Sequence, residues 1–156
     1  MGTLRHADRY DELLAYQKAR ELAADIFRLS QEFPRDETFS LTSQIRRSSR
    51  AIGAQIAEAW GKRRYERHFV SKLTDADGEQ QETQHWLQTA VDCGYVPAET
   101  GKQLRERCNT IGRLLSGMMA KADLFCGEPP ARLRETPEEY LADSSAIPPP
   151  MTVNCD

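Results

Sequence analysis

The chain of 156 residues carries 21 Lys and Arg against 24 Asp and Glu, a formal net charge of −3, with 39 % apolar and 29 % charged residues. That length suits one domain with its own core, and the near-balanced charge excludes a uniformly basic nucleic-acid coat. No apolar run approaches the roughly 20 residues that span a bilayer, and the charged start of the chain is no secretory leader, so a cytoplasmic protein is expected.

Residues 1–9 form an N-terminal tail. The first helix is expected from about Tyr10 to Phe33, because Leu13, Tyr16, Ala19, Leu22, Ala23, Ile26, Leu29 and Phe33 fall three or four apart on one stripe. Pro34 ends it, since proline disfavours helix at the residue before it. The second helix begins near Ser40, read as its N-cap. Its inward face is Leu41, Ile45, Ser48, Ile52, Ile56 and Ala59, and Gly61 closes it.

The third helix runs from about Tyr65 to Cys93, with Gly94 as its stop. Its stripe is Phe69, Leu73, Ala76, Gln80, Thr83, Leu87 and Ala90. Gln80 and Thr83 put polar groups on that inward line. Buried polar groups need partners, which are each other, water or a neighbouring subunit; the plainest reading is a polar layer that fixes register. The fourth helix opens at Pro97, a good first-turn residue. It continues through Leu104, Cys108, Ile111, Leu115, Met118, Ala122 and Phe125 to Gly127.

Four helices of roughly 22–29 residues with short links predict an all-α, antiparallel up-down-up-down four-helix bundle over residues 10–126. Residues 127–156 are expected to make a Pro-rich, mostly disordered tail. Within it Thr136-Pro137-Glu138-Glu139-Tyr140-Leu141 reads as a capping box with proline at the first position. This could dock a short helix through Tyr140 and Leu141.

Charge is unevenly spread. From Arg46 to Lys72 eight bases face two acids, a net of +6; from Leu73 to Gly101 six acids face no base, a net of −6. The swing implies an electrostatic dipole, or subunits meeting plus to minus. At 100° per residue, Arg46, Arg47 and Arg50 span an arc roughly opposite the Ile45/Ile52/Ile56 stripe, either solvated or against a partner. Farther along that side, Gly53, Ala57 and Gly61 remove side-chain bulk from one line. Interior glycine costs a helix about 1 kcal/mol relative to alanine, which close approach of another helix would offset. That helix belongs to the same chain or to a second subunit.

Lys62-Arg63-Arg64-Tyr65-Glu66-Arg67-His68 lies at the joint between helices two and three. Arginines beside an aromatic suit phosphate contact with base stacking; the plain alternative is a solvated turn with bases at a helix C-terminus. Arg46, Arg47, Arg50, Lys62, Arg63, Arg64 and Arg67 are therefore the candidate nucleic-acid-binding residues, and Gly53, Ala57 and Gly61 the candidate subunit contact.

Glu82-Thr83-Gln84-His85 has the Glu-x-x-His spacing of di-iron bundles, but that site needs a second copy and two further glutamates. No metal or cofactor is expected. GxSxG, GxxxxGK[ST] and HExxH are absent. Cys93, Cys108, Cys126 and Cys155 form no CxxC pair; Cys93 and Cys108 flank the third turn and read as buried thiols. No nucleophile has a base beside it, and no enzymatic activity is expected.

The stretch from Phe33-Pro34 through Phe39-Ser40-Leu41 and Gln44-Ile45-Arg46-Arg47 to Ile56-Ala57-Glu58-Ala59-Trp60-Gly61-Lys62-Arg63 resembles a bacterial family named for reading frames in 23S rRNA intervening sequences. The family pattern is approximately FP..E.FGL..QIRRAA.SI..NIAEG.GR. Tyr16-Gln17-Lys18-Ala19, Phe69, Leu73 and Gly94-Tyr95 match as well, so the resemblance covers about residues 10–125. Gln55 stands where the family has Asn, Ala59 where it has Gly, and Gln80 and Thr83 near its usual leucines. The resemblance implies a non-catalytic homopentameric four-helix bundle associated with RNA. A related bundle, the accessory protein of diversity-generating retroelements, is a basic pentamer working with a reverse transcriptase, an analogy of fold alone. The resulting expectation is a homo-oligomer binding RNA or DNA through its basic patch. The alternative is an oligomeric protein–protein adaptor.

Overall fold

A computed structural model describes residues 7–127. The tail beyond Gly127, with its Tyr140 and Leu141 and with Cys155, lies outside the described residues, as do residues 1–6. Four long helices dominate: α1 (Leu14–Ser30), α2 (Ser43–Gly61), α3 (Glu66–Asp92) and α4 (Ala98–Ala120), followed by a single turn, α5 (Ala122–Phe125). No strand occurs among the described residues. α2 packs between α1 and α3, and α4 closes the bundle against α3 and α1. This is the antiparallel arrangement that short links impose.

The inward stripes coincide with the core. Leu22, Ile26, Ile45, Ile52, Ile56, Phe69, Leu73, Leu87, Ile111 and Leu115 are fully buried. Each such aliphatic or aromatic side chain contributes about 1.5–3 kcal/mol of burial, so the seam between the four stripes carries the fold.

The helix ends depart from the expected limits, each for a local reason. Tyr10–Glu12 form a 3-10 turn and Leu13 turns extended before α1 begins. α1 stops at Ser30, short of Phe33, which still packs inward. Helical backbone resumes at Arg35 as a 3-10 turn, widens to a π turn over Thr38–Thr42 and becomes α-helical at Ser43. Ser40 is therefore not an N-cap: the chain has no extended residue there for its hydroxyl to cap, and that hydroxyl donates to the Glu37 carboxylate instead. Pro97 is extended, at ψ 141°, and caps α4 from outside the first turn. Gly94 has φ +77°, the left-handed stop expected of it. Gly61 ends α2 without a positive φ. At the far end α4 breaks at Lys121 rather than running to Phe125.

Gln80 and Thr83 lie inside the bundle, but they do not face each other. The Thr83 hydroxyl shares a hydrogen bond with the Ser48 hydroxyl of α2 at 2.9 Å and reaches the Glu79 carbonyl at 2.8 Å. Gln80 turns toward α4, where Gly112 leaves space: a Cβ on Gly112 would come within 3.0 Å of Gln80 Nε2. Gln80 donates to Asp77 Oδ1 at 2.9 Å and accepts from Gln84 at 2.8 Å. Each polar group thus has a partner within the chain. The Ser48–Thr83 pair joins α2 to α3 in the core, and each hydroxyl also reaches a carbonyl of its own helix, Glu79 for Thr83 and Ile45 for Ser48 at 3.4 Å.

Candidate nucleic-acid interface

The candidate bases fall into two groups with different surroundings. The first lies near the start of α2. Arg46 is half-buried against α1, with Nε donating to Ser30 Oγ at 2.6 Å and its guanidinium 4.8 Å from the centre of the Phe27 ring. Arg50, one turn on, is exposed and lies 5.4 Å from the same ring. Arg47 points the other way, toward α3, with 3.8 Å to Glu82. The arc expected to be either solvated or against a partner is thus divided, because 100° per residue sends Arg46 and Arg47 over different flanks of α2, one toward α1 and one toward α3. Ser30 serves twice: its hydroxyl donates to Phe27 O at 2.9 Å while it accepts from Arg46.

The second group surrounds the α2–α3 joint. Lys62 caps the end of α2 and pairs with Glu58 at 2.7 Å. The Arg63 guanidinium lies over Trp60, 4.1 Å from the ring centre, and donates once to the Trp60 carbonyl at 2.8 Å. Arg64 lies 5.6 Å from the Tyr65 ring, and His68 meets the edge of that ring. Tyr65 is 57 % exposed. Arg67 is exposed at the start of α3. Below the joint Phe69 stacks on Phe125 at 5.7 Å, so the aromatic floor is continuous with the core. Gly127 donates to the Arg63 carbonyl at 3.3 Å, which brings the chain's exit to the same end of the bundle.

Chemically, the joint offers guanidinium donors held over aromatic faces. An arginine stacked on a ring keeps most of its five N–H donors at its edge, where a phosphate oxygen can accept them. Stacking also desolvates one face and holds the fork in place, so less side-chain entropy is lost when it is engaged.

The opposed charge segments partly neutralise each other inside the chain. Lys72 lies 3.1 Å from Asp75 and 3.5 Å from Glu58, and holds company with Arg47–Glu82 along the α2/α3 edge. On that edge burial pushes the Glu79 carboxyl above its ordinary range, with Glu82 adding to the rise. Its Oε2 is enclosed without a hydrogen-bond partner among the described residues. Across the bundle Asp25 accepts from Arg107 at 2.6 Å and pairs with Arg28; the Arg107 bond holds its carboxyl below the usual range.

The small-residue line resolves into three different environments. Gly53 is buried beneath Tyr16 of the same chain, with 3.6 Å between its would-be Cβ and the ring. Ala57 lines a groove between α1 and α2, and Gly61 is exposed with open space around it. The chain's own Tyr16 ring is thus within ordinary contact distance of the space above Gly53.

Glu82 of the Glu-x-x-His accepts from Trp86 Nε1 at 3.0 Å, and His85 is exposed with its ring against the Trp86 edge. Among the described residues no group of three or more His, Cys, Asp or Glu side chains could hold a metal ion. Cys108 is buried, which pushes its thiol up to about 12. Cys93 is exposed, contrary to expectation: it caps the end of α3 after the inward stripe has ended at Ala90. Among the described residues no helix is long and apolar enough to cross a membrane.

Sequence reasoning missed Ser30, Phe27 and Trp60 as supports for the arginines. Phe27 and Trp60 lie off the apolar stripes; for Trp60, an off-stripe aromatic just before the base-rich run Lys62-Arg63-Arg64 was the available signal.

Comparison with known proteins agrees with this fold. Six chains of solved structures match. One, from Bacteroides thetaiotaomicron, is described as a protein of unknown function from the S23 ribosomal protein family. It is 28 % identical, covers 71 % of this chain and 98 % of its own, and superposes with a TM-score of 0.63. No curated protein matches the chain. The family model described as 23S rRNA-intervening sequence protein matches residues 11–117, a span that reaches into all four long helices, and the chain belongs to that family.

Proposed function

We propose that the protein is a non-catalytic, homo-oligomeric nucleic-acid-binding bundle whose contact surface is the α2–α3 joint. The observation that carries this reading is the cluster of Arg63 on Trp60 and Arg64 beside the exposed Tyr65 ring, with Arg67 at its margin. Phosphate oxygens take the guanidinium edges, and an unpaired base stacks on tyrosine, a contact worth about 1–3 kcal/mol per base. One such patch is small, so repetition around an oligomer supplies affinity through avidity. The family's name for ribosomal RNA intervening sequences favours RNA as the ligand.

An electrophoretic shift assay at two salt concentrations, run beside light scattering, tests both halves. Low-salt binding of single-stranded RNA that weakens steeply with salt, by a particle several times 17.7 kDa, is expected. No shift of any RNA or DNA at low salt overturns the nucleic-acid reading; a monomer at micromolar concentration overturns the oligomer.

The alternative, a protein–protein adaptor, is favoured by one observation at the opposite end of the bundle. Phe39 is 86 % exposed in the turn before α2, an apolar handle that RNA phosphates do not need. Loss of RNA binding on Phe39→Ala would count against this separation of roles.

A further inference from the structure

α1 and α2 do not close completely on each other. Between them runs a groove of about 470 Å³ whose floor is made by alanines and Gly53, with Tyr10 and Tyr16 at one end and Phe27 at the other. Two arginines line it, Arg20 and Arg50, and no acid does. Phe27 is 37 % exposed there. A basic, small-floored trough of this kind fits a short acidic helix carrying a few apolar side chains.

The chain itself supplies such a segment. Residues 135–143 read Glu-Thr-Pro-Glu-Glu-Tyr-Leu-Ala-Asp: four acids, no base, and a helix-start pattern at Thr136-Pro137. In helical spacing Pro137, Tyr140 and Leu141 fall at i, i+3 and i+4, one apolar face, with Glu138 on one flank and Asp143 on the other. We propose that residues 136–143 dock into the α1/α2 groove of their own chain, Tyr140 and Leu141 over its alanine floor and Glu138 and Asp143, one on each flank, toward Arg20 and Arg50.

Reach and position support one chain as the source. The chain leaves the bundle at Gly127, bonded to Arg63 at the end of α2 where the groove's Tyr10 end lies. The nine residues from Gly127 to Thr136 can span up to about 30 Å at ~3.3 Å each. The groove from Ser49 to Ala57 is about 12 Å long at ~1.5 Å per residue, the length of an eight-residue helix. A tether this short gives the segment a local concentration on the order of millimolar, which favours its own groove over one on another molecule. Docking would cover Arg50 and leave the α2–α3 joint uncovered.

Cysteine pairing in the full chain tests this. With Cys93, Cys126 and Cys155 replaced by serine, Ala54→Cys and Leu141→Cys should oxidise to an intrachain disulfide at least ten times faster than Ser116→Cys, on α4, with Leu141→Cys. The rate should not change with protein concentration. Adding Arg20→Glu and Arg50→Glu should slow pairing several-fold, and Glu138→Lys with Asp143→Lys should restore it. Circular dichroism confirms that each variant folds. Equal rates for the Ala54→Cys and Ser116→Cys variants overturn the proposal, and so does loss of pairing unrestored by the charge swap. A concentration-dependent interchain disulfide in the Ala54→Cys, Leu141→Cys variant overturns it in favour of a second copy's tail in the groove. None of these outcomes depends on RNA binding.

Discussion

Two groups of arginines, one at each end of α2, have the same side chains and different surroundings. At the start of α2, Arg46 is anchored on Ser30 and Phe27 of α1, and Arg47 reaches across to Glu82 of α3. At the joint, Arg63 and Arg64 lie on or beside Trp60 and Tyr65, aromatics of their own segment. A base on a helix flanked by two others is within reach of both neighbours and becomes a strut between them. A base in a turn at the end of a bundle has neighbours on one side only and faces solvent on the other. The density of positive charge in a sequence does not separate the two; position in the bundle does.

The largest effect should come from the joint. Replacing Arg63, Arg64 and Arg67 together by alanine is expected to weaken RNA binding more than ten-fold and lower the salt slope by about 2–3. The melting temperature should fall by no more than a few degrees: Arg63 gives up its contacts with Trp60, while Arg64 and Arg67 are exposed and their loss costs little. A large fall in thermal stability instead would mean that the joint is a strut too.

Arg46→Ala should invert that pattern. It removes a hydrogen bond to a charged group and a cation–π contact, costing about 1–2 kcal/mol, measured by urea unfolding. RNA affinity should change less than two-fold. If binding collapses while stability holds, the separation between the two groups fails.

Arg47→Ala should cost less than about 0.5 kcal/mol, because its pair with Glu82 is long and exposed. Similar unfolding costs for Arg46→Ala and Arg47→Ala would show that burial against α1 adds nothing.

The smallest effect belongs to Glu79. Its carboxyl is raised by burial, so the folded state favours the neutral form. Stability is then fully present below the ordinary carboxylate value and falls as pH rises through the folded value. Glu79→Gln should raise the melting temperature slightly at pH 7, with the difference vanishing near pH 4. A lower melting temperature at pH 7 would show that Arg47, not burial, dominates its surroundings.

Much of the bundle is legible in the sequence. Leu22, Ile26, Ile45, Ile52, Ile56, Leu73, Leu87 and Leu115 are core because three-and-four spacing puts them on one face, and proline and glycine interrupt the helices wherever chemistry forbids continuation. Gly94 illustrates the second rule with its φ of +77°. Ser40 illustrates its limit: a capping hydroxyl is recognisable in sequence, but whether the backbone before it is extended depends on how the α1–α2 link packs. Tyr95 of the α3–α4 link donates to Glu37 at 3.0 Å, and Phe33 packs on Tyr95. That contact joins residues 58 apart.

The candidate site divides in the same way. Residue order and helical periodicity are enough to concentrate bases in α2 and its joint, to line one side of α2 with small residues, and to turn Gln80 and Thr83 inward. These are properties of each helix taken alone. Assembly of the bundle was needed to bring Thr83 to Ser48, Tyr16 over Gly53 and Arg46 onto Phe27, and to open Ala57 on a groove. Each of these contacts depends on the rotation and register of one helix against another. Rotation and register are fixed by the packing of all four apolar stripes at once, which no single helix encodes.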